Sequence, residues 1–148
     1  MDLLLIVAHK PLASALQAVA AHAFRELSAM VQAVDVEDGE PPDETQTRVA
    51  AALSVVPRGE ALILTDVFGA SPCNAALRVA ERAGARVVAG VNVPMIWRAL
   101  CYRSEPLDLL VQRVVDGATQ GVLQVAQSRP QNQAQRPGED DQERHNDQ

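Results

Sequence analysis

Aromatic side chains are nearly missing: Phe, Tyr and Trp make up 3% of the 148 residues, so Leu, Val, Ile and Ala must fill the core. Cysteine is also scarce. Cys73 and Cys101 are too few for a disulfide framework, and a chain this long needs none. Basic residues are outnumbered, and a formal net charge of -6 argues against a nucleic-acid partner or an anionic membrane surface, both of which need clustered Lys and Arg. No apolar run approaches the roughly 18 residues of a membrane span, so any membrane association would be peripheral. The start, Met1-Asp2-Leu3, lacks the basic opening of a signal peptide. Together these absences predict a soluble protein of a reducing cytoplasm. There is no metal-ligand cluster and no Walker or dinucleotide glycine pattern, so neither a metal nor a cofactor is expected.

What remains is an ordinary globular composition, 47% hydrophobic and 22% charged, of a length that suits one domain. Leu3 to Ala8 is a short unbroken apolar run, the pattern of a strand buried on both faces. Pro11 is suited to open a helix, in which Leu12, Ala15, Leu16, Val19, Ala23, Phe24 and Leu27 form one apolar stripe. Met30 to Val36 reads as a second strand, and Asp43 with Gln46 as a capping box for a helix to about Ser54. Ala61 to Thr65 is a third strand. Ser71-Pro72 reads as the N-cap and first residue of a helix that Gly84 ends. A fourth strand over Arg86 to Val91 follows, then helices from Pro94 to about Arg103 and from about Pro106 to Gly121. The order predicts an α/β fold with an open, mainly parallel four-stranded sheet and helices on both faces. From Pro130 to Gln148 there is no Leu, Ile, Val or Phe. Residues 128–148 are therefore expected to be a disordered polar tail on a domain of residues 1–127.

In open parallel sheets, ligands bind beyond the carboxyl ends of the strands, where the strand order reverses. With strands 2 and 3 on either side of strand 1, that point lies between His9 and Asp66, on strands about 4.8 Å apart. A carboxylate holding one ring N–H selects which histidine nitrogen is free, and it stabilises positive charge on the ring as that nitrogen attacks phosphorus. Gly69 permits an unusual loop conformation near a ligand. Ser71 sits at a helix N-terminus, which attracts anions. Gly69, Ala70 and Ser71 are thus candidate phosphate-binding residues, and Lys10, Phe68, Asn92 and Met95 candidate pocket residues. Taken singly, each has a bland reading: a loop-bridging histidine, a common Ser-Pro helix start, a structural Asn-X-Pro turn. Their convergence on His9 carries the functional one.

These residues resemble a family. Ile6-Val7-Ala8-His9, Asp66-Val67-Phe68-Gly69-Ala70-Ser71-Pro72-Cys73-Asn74-Ala75-Ala76 and Ala89-Gly90-Val91-Asn92-Val93-Pro94-Met95 are similar to motifs of the mannose-type enzyme IIA (PTS EIIA, mannose/sorbose family) of the bacterial phosphoenolpyruvate-dependent phosphotransferase system. The likeness covers about residues 2 to 126. It implies a strand order of 2-1-3-4 and His9 phosphorylated by the histidine-containing phosphocarrier protein. It further implies Asp66 hydrogen-bonded to His9, and a homodimer with a short strand near Val122 to Ala126 exchanged between subunits. Ala8-His9-Lys10-Pro11 departs from the family's frequent Thr-His-Gly: Pro11 removes one amide near the phosphate and Lys10 adds a charge. Val67-Phe68 stands where Thr-Trp or Leu-Tyr is frequent. Nothing after Gln127 is expected to form the IIB domain that receives the phosphoryl group in sugar-transporting members. Leu100-Cys101-Tyr102-Arg103 and Pro106-Leu107 look like stand-alone, regulatory members, whose partner is a separate IIB protein or a regulatory target.

Cys73 and Cys101 read as small buried hydrophobes. His22 and His145 have no visible partner, and Arg103 reads as a surface residue. Two rival functions stand beside phosphoryl transfer. One is a serine hydrolase using Ser71, His9 and Asp66, against which the missing Gly-X-Ser-X-Gly elbow counts. The other is a non-catalytic sensor or binding module of the same fold.

Overall fold

The computed structural model describes residues 1–126. Its elements run β1 (Leu3–His9), α1 (Leu12–Ala23), a 3-10 helix (Arg25–Met30), β2 (Val31–Val36), α2 (Pro42–Leu53), β3 (Ala61–Thr65), α3 (Ser71–Ala83), β4 (Arg86–Ala89), α4 (Val93–Cys101) and α5 (Leu107–Gln120). The four strands form one sheet in the order β2-β1-β3-β4, and every pairing is parallel. The expected α/β architecture and strand order are those observed.

Side-chain alternation along β1 builds the core on both faces of the sheet. Leu4, Ile6 and Ala8 pack with Leu62 and Leu64 of β3 under α1, α4 and α5, against Ala13, Leu16, Ile96, Leu100 and Leu110. Leu3, Leu5 and Val7 pack with Ile63 under α2 and α3, against Val49, Leu53, Ala76 and Ala80. With both faces covered, the central strands are apolar up to their ends, the one buried polar side chain being Thr65 at the last position of β3. That explains the unbroken apolar runs. The scarce aromatics serve locally: Phe24 meets Trp97 edge to face, ring centres 5.3 Å apart.

Several local expectations need correction. The helix α1 ends at Ala23 rather than running through Leu27, because the backbone leaves helical geometry at Phe24, whose ring meets Trp97. Its buried stripe is Ala13, Leu16 and Ala20, of which the two alanines let the helix lie close to the sheet, while Leu12 and Val19 face outward. Pro11 is its N-cap, not its first residue. Pro41 and Pro42 take the first positions of α2, so Asp43 caps nothing; Glu40 accepts from the Thr45 hydroxyl instead. Ala70, with no side-chain bond, caps α3, and Ser71 is its first residue. The strand β4 stops at Ala89, where Gly90 turns at φ 85°. Cys73 is buried as expected, but Cys101 is exposed. No strand forms over residues 122–126 of the single chain, and Val122, Leu123 and Val125 are exposed. The expected tail, residues 128–148, lies outside the described residues.

Candidate functional site

The carboxyl ends of β1 and β3 bring His9 and Asp66 together. Val7 of β1 is in register with Thr65 of β3, so Asp66 lies one residue beyond that pairing and His9 two residues beyond it, at the same end of the sheet. The Asp66 Oδ2 atom accepts from the His9 ring at Nδ1 (2.5 Å) and from the His9 backbone N–H (2.9 Å). Its Oδ1 accepts from the Val67 N–H at 2.8 Å. The Asp66 carbonyl is held as well, accepting from Gly90 N–H at 2.8 Å. Asp66 is therefore fixed at both ends, its side chain 13% exposed, while the His9 side chain is 52% exposed. Burial pulls the Asp66 carboxyl upward, but the amide and ring of His9 and the Val67 amide outweigh it and hold its pKa below the ordinary value.

An ionised carboxylate only accepts, so the proton between Asp66 and His9 sits on Nδ1. In the neutral ring the lone pair is then on Nε2, and the side chain that carries it is half-exposed. This arrangement offers one oriented nitrogen nucleophile to solvent, with a fixed negative charge behind it.

The loop after Asp66 leads to the start of α3. Gly69 adopts φ 88°, a left-handed conformation that favours glycine, and the Asn74 amide donates to its carbonyl at 3.3 Å. Ala70 and Ser71 follow at a helix end with no side-chain cap, and Pro72 has no N–H. The Ala70 N–H donates to the Val67 carbonyl at 3.5 Å, and the first-turn amides beyond it have no side-chain cap. Among the described residues no hydrogen bond joins Ser71 to His9. Phe68 is 79% exposed.

Two of the candidate pocket residues are structural. Asn92 caps α4 by accepting from the Met95 N–H (2.9 Å), and its amide donates to the Ala118 carbonyl (3.1 Å). Met95 is 2% exposed in the core under α1, α4 and α5. The Asn92 side chain thus joins the start of α4 to the last turns of α5. Lys10 stands beside the site on the β2 side, its ammonium bonded to Glu37 at 2.7 Å.

Sequence reasoning missed Glu37, although the acidic run Asp35-Val36-Glu37-Asp38 follows a strand expected next to β1. It also missed the Thr65 hydroxyl, buried directly before Asp66 with no hydrogen-bond partner among the described residues. Among those residues no group of acidic, His or Cys side chains could hold a metal ion, and no helix is long and apolar enough to cross a membrane.

The chain can now be set against known proteins. No curated protein sequence matches it. Its fold is similar to the mannose/sorbose specific IIA subunit of the phosphotransferase system from Enterococcus faecalis, at 25% identity and TM-score 0.79, over 87% of this chain and 98% of that one. It is similar to phosphotransferase system component EIIA from Streptococcus agalactiae, at 22% identity and TM-score 0.74, over 84% and 97%. A PTS IIA protein associated with the fucose utilization operon of Streptococcus pneumoniae has the same fold, at 21% identity and TM-score 0.71, over 82% and 91%. The family model for the PTS system fructose IIA component, EIIA-man, matches residues 3–114. A match over that much of the chain, on a sheet of the same fold, shows that the protein belongs to the EIIA-man family of phosphotransferase system IIA components.

Proposed function

We propose that the protein is a cytoplasmic phosphoryl carrier that accepts a phosphoryl group on Nε2 of His9 from the histidine-containing phosphocarrier protein. The observation that carries this reading is the 2.5 Å contact between Asp66 Oδ2 and His9 Nδ1, which leaves Nε2 as the other nitrogen of a half-exposed side chain. In the step, the donor's P–N bond breaks as the Nε2–P bond forms. The positive charge that develops on the ring faces the Asp66 carboxylate, and the Nδ1 proton stays on that hydrogen bond. The mobile phosphoryl oxygens meet Gly69, Ala70 and Ser71 at the uncapped start of α3, where amides and the helix dipole favour negative charge.

Membership of the EIIA-man family supports a phosphotransfer role. The finer points are proposals. The carrier domain comprises residues 1–127, and 128–148 are an appended tail. The protein works as a homodimer, for which the exposed apolar residues Val122, Leu123 and Val125 supply the motive. It hands its phosphoryl group to a separate IIB protein or signals with it to a regulatory target.

The test is incubation with phosphoenolpyruvate, enzyme I and the phosphocarrier protein, followed by mass spectrometry. A mass gain of one phosphoryl group on the peptide containing His9 is expected, and none in His9→Ala, whose fold stays intact. Retention of the gain in that variant would move the site elsewhere.

A further inference from the structure

Lys10 is the single lysine of the chain, which uses arginine at its 12 other basic positions, and it directly follows His9. The choice has chemical consequences. An arginine fork holds a carboxylate through two parallel bonds, whereas an ammonium is a hydrated point charge on a flexible stem. Lys10 donates to Glu37 Oε1 at 2.7 Å, and the two side chains are 57% and 63% exposed. An ion pair that open to water contributes little and exchanges readily. The hydrogen bond and charge of Glu37 hold the Lys10 ammonium above its ordinary pKa, and the bond from Lys10 holds the Glu37 carboxyl below its own. Both groups are therefore charged near neutral pH.

The neighbouring charges are held differently. Asp35 Oδ1 accepts from the Ser14 N–H at 3.0 Å, tying β2 to the first turn of α1. Arg48 donates to the Asp35 carbonyl (2.7 Å) and to Glu40 Oε1 (2.8 Å), and Glu40 also accepts from Thr45. Those bonds lock β2 to α2. Among the described residues of this cluster, the Lys10–Glu37 pair alone rests on a single exposed contact. The Lys10 backbone is anchored, its N–H donating to the Val36 carbonyl at 2.9 Å. Its stem thus swings from a fixed point one residue from His9. Extended, the stem is about 6 Å long, longer than the roughly 3.8 Å between neighbouring Cα atoms, so the ammonium is not confined to Glu37.

We propose that the Lys10–Glu37 ion pair is a phosphorylation-state switch: when His9 carries a phosphoryl group, the ammonium leaves Glu37 for the phosphoryl oxygens and frees the acidic start of the β2–α2 loop. This rests on His9 being the phosphoryl acceptor. A phosphoryl group brings close to two negative charges and three acceptor oxygens, against one charge on Glu37. The released Glu37 joins Asp38 beside the Gly39 turn (φ 73°), so the loop presents two unneutralised carboxylates only in the phosphorylated state. A partner with a basic surface can read that difference without touching His9.

The test is the equilibrium of phosphoryl exchange with the histidine-containing phosphocarrier protein, read by intact-mass spectrometry in wild type, Lys10→Met and Glu37→Gln. Lys10→Met removes the donor of the ion pair, and Glu37→Gln removes the charge of its resting acceptor. The switch requires opposite signs. Lys10→Met lowers the equilibrium constant about tenfold, the size of one lost charge-assisted hydrogen bond. Glu37→Gln frees the ammonium in advance and raises the constant about threefold, as expected for an exposed pair. In protein labelled with 15N-lysine, the one side-chain ammonium signal shifts on phosphorylation of wild type. Shifts of equal sign, or an unmoved ammonium signal in phosphorylated wild type, would overturn the switch alone. No phosphoryl uptake by wild type would overturn the reading of His9 and the switch with it.

Discussion

The two ends of the sheet are built from the same strands and put to different use. At the amino end the polar groups close on one another. The Met1 ammonium donates to the Arg103 carbonyl (2.8 Å) and lies 3.3 Å from Glu60, whose own carbonyl accepts from Asp2 and Leu3. Gly59 N–H donates to Ala83, and Gly84 closes α3 in a left-handed conformation against Arg58. At the carboxyl end, valences are left open. Among the described residues His9 Nε2 and the buried Thr65 hydroxyl have no partner, α3 starts without a side-chain cap, and Phe68 lies open to solvent. Polar groups satisfied inside the chain hold the fold. Groups oriented but unsatisfied are what a ligand can use.

The sharpest way to break this contrast is at Asp66. Asp66→Asn keeps a hydrogen-bonding side chain, yet an amide also donates and can hold the wrong tautomer, and the negative charge is gone. A unit charge about 4 Å away is worth on the order of 4 kcal/mol at an effective dielectric near 20, part of it already spent in the ground state. A barrier raised by roughly 2 to 4 kcal/mol slows transfer about thirty- to a thousandfold. Quench-flow kinetics with the phosphocarrier protein check this, and rates within threefold would reduce Asp66 to a loop anchor.

At the opposite end, Gly84→Ala is expected to lower stability and spare transfer. A Cβ there meets the Arg58 side chain at 3.0 Å and the Gly59 amide nitrogen at 3.1 Å, at a φ of +62°. The left-handed conformation alone costs roughly 1–2 kcal/mol for a residue with a Cβ. Urea denaturation reads the loss, and transfer rates at His9 stay at the wild-type value.

A smaller effect of opposite sign is expected at Thr65→Val. The shape is kept and an unpaired buried hydroxyl is removed, so stability rises by about 1 kcal/mol. A destabilised variant in the same denaturation experiment would mean that the hydroxyl has a partner in solution. The smallest effect belongs to the tail: removing residues 130–148, which contain no Leu, Ile, Val or Phe, leaves the melting temperature and phosphoryl uptake unchanged. A drop in melting temperature would show that this stretch is anchored.

Which parts of this were readable in the sequence follows the same division. Strands buried on both faces announce themselves as apolar runs, so β1 and β3 were legible, as was the meeting of His9 and Asp66 where those runs end. The inward face of α1 was not. In an Ala-rich helix, apolar residues fall on both sides, and close packing chose Ala13 and Ala20 over Leu12 and Val19. Caps were misjudged at Asp43 and Ser71 because adjacent prolines and Ala70 settled the helix starts. Asn92 and Met95 carried a motif whose bonds close inward. Glu37 was hidden for another reason: a pairing between exposed charges 27 residues apart leaves no periodicity to read.

The central claim is that Asp66 holds Nδ1 of His9 so that Nε2 takes the phosphoryl group. The most direct measurement is a long-range 1H–15N correlation spectrum of 15N-histidine-labelled protein, before and after phosphorylation by the phosphocarrier protein. The expected result is a proton on Nδ1 of His9 in the free protein and phosphorus on Nε2 afterwards. Phosphorus on Nδ1, or a free His9 protonated on Nε2 alone, would contradict it.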